Sequence, residues 1–194
     1  MLYVSPLKAL GVDVERNLRA PLTGVRLAAE RLGVGLRPIT VGVRSGDTAP
    51  RERAALLRHP PDILITTPES LYLMLTSGAR RTLTDVGTVI IDEIHAVAGT
   101  KRGSHLALSL ERLDSLVGDD VQRVALSATV RPIDRIAAFL GGDRPVTVVA
   151  PPTTKSWDVA VRVPVPDMAD PGPRPGPRHP STRCSQGGHR HRLR

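Results

Sequence analysis

Residues 89–95 read Val-Ile-Ile-Asp-Glu-Ile-His, an apolar run that ends in two adjacent carboxylates. The three β-branched residues predict a strand, and continuous apolar strands are typical of parallel sheets. Ligands bind in such folds at the carboxyl ends of the strands. Because side chains alternate along a strand, Asp92 and Glu93 point in different directions and can take different tasks. An acid pair that only caps the next helix is the structural alternative.

On both sides of this run, short β-like segments alternate with helical ones. The predicted strands are 2–4, 36–43, 62–66, 88–91, 123–126 and 146–149, and the predicted helices are 8–18, 21–32, 48–58, 68–75, 104–116 and 132–140. This alternation predicts an α/β fold with a parallel sheet flanked by helices. The chain is 40% hydrophobic but only 2% aromatic, so its core must be built from Val, Ile, Leu and Ala.

Composition divides the chain into three parts. Residues 1–150 carry the α/β pattern, and residues 151–168 are interpreted as a linker, with one further possible strand at 157–165. Residues 169–194 are rich in Pro, Gly and Arg and are predicted to be disordered, because they have too little apolar surface to offset the entropy of ordering.

Charge and cysteine content limit the possible functions. The net charge is +8, but residues 169–194 hold six arginines and one acid, so five of these charges lie in the predicted tail and charge alone is a weak argument for nucleic acid. The single cysteine, Cys184, excludes a disulfide framework. No apolar run is long enough to span a bilayer. We therefore predict a cytoplasmic protein without a membrane partner.

Two further segments place hydroxyl groups where predicted strands end. Residues 127–129 (Ser-Ala-Thr) follow the strand at 123–126 and can bond to the acidic loop, although a small-residue turn without function is the alternative. Residues 66–70 (Thr-Thr-Pro-Glu-Ser) open a helix whose N-terminal N–H groups can bind a nucleic-acid phosphate. Ordinary capping by threonine, with proline in the first turn, is the alternative there.

Taken in order, four segments resemble the signature motifs of superfamily 2 DEAD/DEAH-box helicases. Residues 5–10 (Ser-Pro-Leu-Lys-Ala-Leu) resemble motif Ia, and residues 67–70 (Thr-Pro-Glu-Ser) resemble motif Ib. Residues 92–95 (Asp-Glu-Ile-His) resemble motif II, and residues 127–129 resemble motif III. Over residues 1–168, the surrounding sequence is similar to that of the bacterial large helicase-related (Lhr) family.

The resemblance implies the first RecA-like domain of an ATP-dependent helicase that moves 3′ to 5′ on single-stranded DNA and unwinds DNA or RNA–DNA hybrids in repair. By position, Asp92 would bind ATP through Mg²⁺ and Glu93 would orient the attacking water. His95 would link this site to motif III, where Ser127 and Thr129 would couple hydrolysis to movement. The residues implied to contact nucleic acid are Ser5, Pro6, Lys8, Gly46, Asp47, Thr67, Pro68, Glu69, Lys101 and Arg102.

The sequence departs from the family pattern in one respect. It contains no G-x-x-x-x-G-K-[S/T] loop, which the family places before motif Ia, and the resemblance stops before the second motor domain. We therefore expect the 194-residue chain by itself to bind and hydrolyse ATP poorly. We also expect strands 88–91 and 123–126 to lack a paired neighbour. The alternative function is a non-enzymatic nucleic-acid-binding remnant that uses motifs Ia and Ib without hydrolysis.

Overall fold

The structure is a computed structural model that describes residues 1–118, 121–128, 131–151 and 159. Met1–Val148 forms one compact unit. The predicted site residue Thr129, the possible strand at 157–165 except for Val159, and the predicted disordered tail lie outside the described residues. The division at 150 and 168 therefore stays a prediction.

The described residues form one sheet of five parallel strands, which confirms the predicted parallel sheet but not its six predicted strands. Its strands are β1 (Leu2–Val4), β2 (Val41–Arg44), β3 (Ile63–Thr66), β4 (Thr88–Ile91) and β5 (Gln122–Ala125), in the order β2-β3-β1-β4-β5. The central strand β1 pairs with β3 on one side and β4 on the other, so that Val4 lies opposite both Thr66 and Ile91. The segments that follow these three strands therefore meet at one edge, which we call the carboxyl edge.

Within the described residues, four α-helices connect these strands and a fifth follows β5. They are α1 (Lys8–Arg31), α2 (Pro50–Arg58), α3 (Pro68–Leu75), α4 (Lys101–Val117) and α5 (Ile133–Gly141), with short 3-10 helices at Gly78–Thr82 and Ile94–Ala96. One face of the sheet packs on α3 and α4 in a core that includes Leu2, Val4, Val89, Ile91, Leu71, Leu106, Leu110 and Leu113. Full burial of each such side chain contributes about 1.5–3 kcal/mol. This core anchors the inner strands whose ends carry the candidate site.

The prediction of two helices at 8–18 and 21–32 was wrong, because α1 runs without a break through Pro21. Proline has no N–H to donate and normally ends a helix. Pro21 and Asn17, four residues before it, are both exposed, so water can satisfy the carbonyl that proline leaves without a donor. Ion pairs between side chains four residues apart, Arg19–Glu15 and Arg26–Glu30, support the helix on either side.

Three further predictions about strands need correction. The strand predicted at 36–43 is only β2, Val41–Arg44, and residues 146–149 form no strand. Instead, the side chain of Val146 packs against the core beside Gly141. Strand β4 does not lack a neighbour, because it pairs with both β1 and β5, whereas β5 pairs within the described residues only with β4.

Candidate functional site

The predicted acid pair lies where β4 ends, at the carboxyl edge. The Asp92 backbone N–H donates to the Val4 carbonyl at 2.9 Å, which continues the pairing of β4 with β1. Glu93 then adopts a left-handed backbone conformation with φ of 45°. A non-glycine residue in this region is strained, and such strain concentrates at functional sites. The two carboxylates have different partners, Tyr3 for Asp92 and His95 for Glu93.

Both carboxylate oxygens of Asp92 accept hydrogen bonds. The Tyr3 hydroxyl donates to Oδ2 at 2.7 Å, and the Glu93 N–H donates to Oδ1 at 2.9 Å. Burial, together with this hydrogen bond to Asp92, raises the pKa of Tyr3 above its ordinary value. The hydroxyl therefore stays protonated and acts as a donor at neutral pH. Sequence reasoning missed Tyr3, because the partners are 89 residues apart and nothing in a Leu-Tyr-Val strand marks a polar contact.

The structure brings His95 and Ser127 together, as the resemblance implied. The Ser127 Oγ lies 3.3 Å from His95 Nδ1, and Glu93 Oε2 lies 3.3 Å from the same nitrogen. The Ile94 N–H donates to the Leu126 carbonyl at 3.0 Å, which fixes the loop after β4 against the end of β5. The arrangement provides a short polar path from the acid pair to the segment after β5.

The segment after β1 is held in place mainly by its backbone. The Ser5 N–H donates to the Thr66 carbonyl at 2.9 Å and the Ser5 hydroxyl to the Leu7 carbonyl at 3.1 Å, while Ser5 and Pro6 are buried. Lys8 is exposed and pairs with both oxygens of Asp47, at 2.7 and 2.8 Å. Two predicted nucleic-acid contacts of opposite charge thus bind each other.

The segment after β3 has the geometry of ordinary helix capping. The Thr67 side chain accepts from the Ser70 N–H at 3.3 Å, and its hydroxyl donates to the Ser70 hydroxyl at 3.1 Å. Thr67 is 5% exposed and Pro68 is buried, so neither side chain is offered to solvent. Any contact with a ligand at this position must therefore come from the N-terminal backbone of α3.

Glu69 and Arg102 form a second pair of predicted nucleic-acid contacts. The Arg102 Nη2 lies 3.0 Å from Glu69 Oε2, and its Nε bonds the other carboxylate oxygen. This two-point contact lowers the pKa of Glu69 and joins the starts of α3 and α4. Lys101 is exposed and has no side-chain partner among the described residues. Gly46 is exposed, and its carbonyl accepts from Arg53 at 2.7 Å.

One cavity lies away from these residues. It has a volume of about 360 Å³ and is lined by residues of α2, by residues of the 3-10 helix at Gly78–Thr82, and by Arg37 and Asp62, which pair with each other. It contains none of the predicted site residues. A second cavity, of only about 10 Å³, is lined by residues that include Ser5, Lys8 and Thr67.

The side chains at the carboxyl edge fit a nucleotide-bound Mg²⁺. No group of three or more His, Cys, Asp or Glu residues that could hold a metal ion occurs in the described part of the chain. Mg²⁺ commonly uses only one or two carboxylates and completes its coordination with water and phosphate oxygens. Asp92 supplies a carboxylate with a fixed orientation, and each oxygen retains capacity to accept another contact.

Residues 1–136 match the family described as DEAD/DEAH box helicase. This match covers more than half of the chain, and the chain therefore belongs to the DEAD/DEAH box helicase family. The predicted RecA-like fold and the predicted family are both confirmed. Among the described helices, none is both long and apolar enough to cross a membrane.

Several relatives of the Lhr type are similar to this chain in sequence. A structure of the Mycobacterium smegmatis helicase Lhr bound to ssDNA and AMP-PNP is 66% identical with a TM-score of 0.81, over 87% of this chain and 22% of that one. The Lhr helicase/uracil glycosylase of Escherichia coli is 61% identical over 88% of this chain and 11% of its own length. The ATP-dependent helicase Lhr-Core of Methanothermobacter thermautotrophicus is 48% identical over 88% of this chain and 20% of its own. The chain thus spans about a tenth to a fifth of these relatives.

Proposed function

We propose that this chain forms part of the first motor domain of an ATP-dependent helicase that moves 3′ to 5′ along single-stranded DNA, with a role in DNA repair. One observation carries the proposal. The acid pair, the contact between His95 and Ser127, and the segments after β1 and β3 all lie at one edge of one sheet. A motor that couples ATP hydrolysis to movement along nucleic acid needs a nucleotide site and a nucleic-acid site that are joined by rigid elements.

In the nucleotide half of the site, Asp92 would hold ATP through Mg²⁺, and Glu93 would orient water and accept its proton. When bound, Mg²⁺–ATP supplies the transferable phosphoryl group and the positive charge that stabilises its transfer. His95 shares its Nδ1 between Glu93 and Ser127, so a change in the position of Glu93 alters the contact with the segment after β5. Thr129 remains a proposed member of this segment.

In the nucleic-acid half, the backbone N–H groups at the start of α3 and the exposed amine of Lys101 can bind phosphates. Lys8 and Arg102 are already paired with Asp47 and Glu69, so a phosphate would replace or join a carboxylate there. Single-stranded DNA is the proposed ligand, because the M. smegmatis relative was solved with it. RNA–DNA hybrids are a second proposed substrate. A cytoplasmic location is consistent with such partners and with a single cysteine.

A chimera tests the proposed function. Residues 1–148 replace the matching segment of the M. smegmatis Lhr helicase, which supplies the rest of the motor. The chimera is expected to hydrolyse ATP, and single-stranded DNA is expected to stimulate it. Glu93→Gln in the chimera should lower the rate by at least about 100-fold, because general base catalysis typically contributes 10²–10⁴. Glu111→Gln, on the solvent-exposed side of α4, is the matched control and should leave the rate unchanged.

Two outcomes would oppose this proposal. ATP hydrolysis at the same rate with Glu93→Gln as without it would remove Glu93 from the catalytic role. A chimera that is folded and binds DNA, but hydrolyses no ATP, would favour the alternative of a nucleic-acid-binding remnant.

Charge at the proposed interface provides a second prediction. Asp47→Asn in the 194-residue chain is expected to increase affinity for single-stranded oligo(dT) about two- to fivefold at low salt, because it frees Lys8 and removes a negative charge from the interface. Fluorescence anisotropy measures the dissociation constant, and the difference should shrink as salt rises.

Asp85→Asn is the matched control, since Asp85 is exposed and precedes β4, at the opposite edge of the sheet. It makes the same change in net charge. If the two variants gain affinity equally, Asp47 has no local role and the segment from 46 to 47 does not lie at the interface.

A further inference from the structure

Tyr3 contacts the acid pair but has no part in the proposed function. It lies in the middle of β1, opposite Ile90 of β4, and its side chain is on the sheet face opposite that of the buried Leu2 and Val4. From there its hydroxyl reaches Asp92 Oδ2 at 2.7 Å. Asp92 is therefore bound to β1 twice, once through this hydroxyl and once through its own N–H to Val4.

The hydroxyl of Tyr3 is one of two groups that fix the Asp92 carboxylate. The terminal torsion of an aspartate is broad, so an unrestrained carboxylate turns easily. The Glu93 N–H on Oδ1 and the Tyr3 hydroxyl on Oδ2 hold its plane from both sides. Loss of one of these two contacts allows the Asp92 carboxylate to rotate, which weakens the other contact.

The backbone of β1 joins Tyr3 to the segment that resembles motif Ia. Ser5 follows two residues later, is 1% exposed, and is tied to the Thr66 carbonyl at 2.9 Å. A displacement of this segment cannot be absorbed by a flexible linker, because none separates it from β1. It is therefore transmitted to Tyr3, whose side chain ends at the acid pair.

We propose that Tyr3 is a positioning residue that orients the Asp92 carboxylate and couples it to the segment at residues 5–8. The part of this inference that concerns nucleic acid rests on the proposed function, whereas the orientation of Asp92 does not. A role in packing alone would require only the aromatic ring, so phenylalanine would serve equally well. Tyr3→Phe therefore separates the two roles.

The first experiment uses the 194-residue chain without ligand. In Tyr3→Phe, the Glu93 amide should exchange with solvent about fivefold faster at constant pH, the change that corresponds to one hydrogen bond of typical net strength. Solvent-exchange NMR on ¹⁵N-labelled protein measures this rate. Tyr72→Phe removes the hydroxyl of the other tyrosine, on α3, and should leave the Glu93 amide unchanged. An unchanged rate in Tyr3→Phe overturns the proposal.

A second variant tests the same bond from the carboxylate side if Tyr3→Phe folds poorly. In the Tyr72→Phe background, Tyr3 is the only tyrosine, so the tyrosine doublet in the resonance Raman spectrum reports its hydroxyl alone. The intensity ratio of the doublet should be that of a hydroxyl acting as a strong donor, and Asp92→Asn should move the ratio away from that value. A doublet that does not change with Asp92→Asn overturns the proposal.

The coupling is tested with ligands. Oligo(dT) should shift the Glu93 amide resonance in the unsubstituted chain and much less in Tyr3→Phe; equal shifts overturn the coupling. In the chimera, Tyr3→Phe should raise the Mg²⁺ concentration for half-maximal ATP hydrolysis about tenfold, as loss of an outer contact to a metal ligand typically does. If oligo(dT) binds neither the unsubstituted chain nor Tyr3→Phe, the proposed function fails. The exchange rate of the Glu93 amide then decides alone whether Tyr3 orients Asp92.

Discussion

Gly103→Ala is expected to lower the free energy of unfolding by roughly 3 kcal/mol or more, at the upper end of the cost of overpacking. Gly103 lies in the first turn of α4, and a Cβ there would lie 2.1 Å from the Val97 carbonyl oxygen and 2.8 Å from its carbon. These are backbone atoms, so no side-chain rotation relieves the clash. Val97 is itself 1% exposed and its carbonyl accepts from the Thr100 N–H at 3.0 Å, so this loop cannot move alone.

The clash extends to the candidate site. Val97 directly follows the 3-10 helix at Ile94–Ala96, so moving it displaces His95 from Ser127. Thermal unfolding followed by circular dichroism should show a Tm lower by on the order of 10 °C, given 2–4 °C per kcal/mol for a domain of this size.

Gly24→Ala is the matched control for Gly103→Ala. Gly24 lies in α1 and a Cβ there would have no atom within 4 Å, so alanine should stabilise the helix by about 0.5–1 kcal/mol. The same substitution is thus predicted to act in opposite directions at two helical glycines. Equal Tm values for Gly103→Ala and the unsubstituted chain would contradict the close packing of α4 on Val97.

The fold could be predicted where the pattern of apolar residues was strong. Strand β4 and helix α3 have the bounds that the sequence indicated, because continuous β-branched residues define the former and a Thr-Pro start defines the latter. Proline at 21 suggested an end to a helix that in fact continues, since an exposed helix can leave one carbonyl to water. A proline is a poor signal for the end of a helix at such exposed positions, because water can bond the carbonyl that the proline leaves without a donor.

The common edge at which the candidate residues lie could be predicted from the sequence, but most of their contacts could not. The acid pair and the segment at 127–128 were placed together correctly, because parallel strands end at a common edge. The pairings Lys8–Asp47 and Arg102–Glu69 join residues 39 and 33 positions apart, and no periodicity encodes them. The bond from Tyr3 to Asp92 likewise depends on the register of β1 against β4. The left-handed backbone of Glu93 is not indicated by its residue type.

Arg123→Met is expected to destabilise the chain by about 2–4 kcal/mol, because it removes one partner from a buried ionic cluster. The Arg123 side chain is 5% exposed and bonds Asp114 at 2.7 Å and Glu111 at 2.8 Å, both on α4. Its Nη1 also donates to the Leu140 carbonyl in α5 at 3.1 Å. One side chain on β5 therefore holds two helices, and methionine retains its length without its donors. Urea unfolding, with the slope compared between variants, measures the loss.

Substitution of each acidic partner of Arg123 has a separate expected result. Glu111 is 60% exposed, so Glu111→Gln should change stability by less than about 0.5 kcal/mol. The Asp114 side chain is 19% exposed, and Arg144 also binds it, so the loss of Arg123 leaves a half-buried carboxylate with one of its two cationic partners. Adding Asp114→Leu to Arg123→Met removes that charge and should recover part of the lost stability, as replacement of whole buried ion pairs by apolar residues often does. If Asp114→Leu lowers the free energy of unfolding by the same amount in the Arg123→Met background as it does alone, the two side chains are energetically independent. In that case Arg123 stabilises the fold through Leu140 instead.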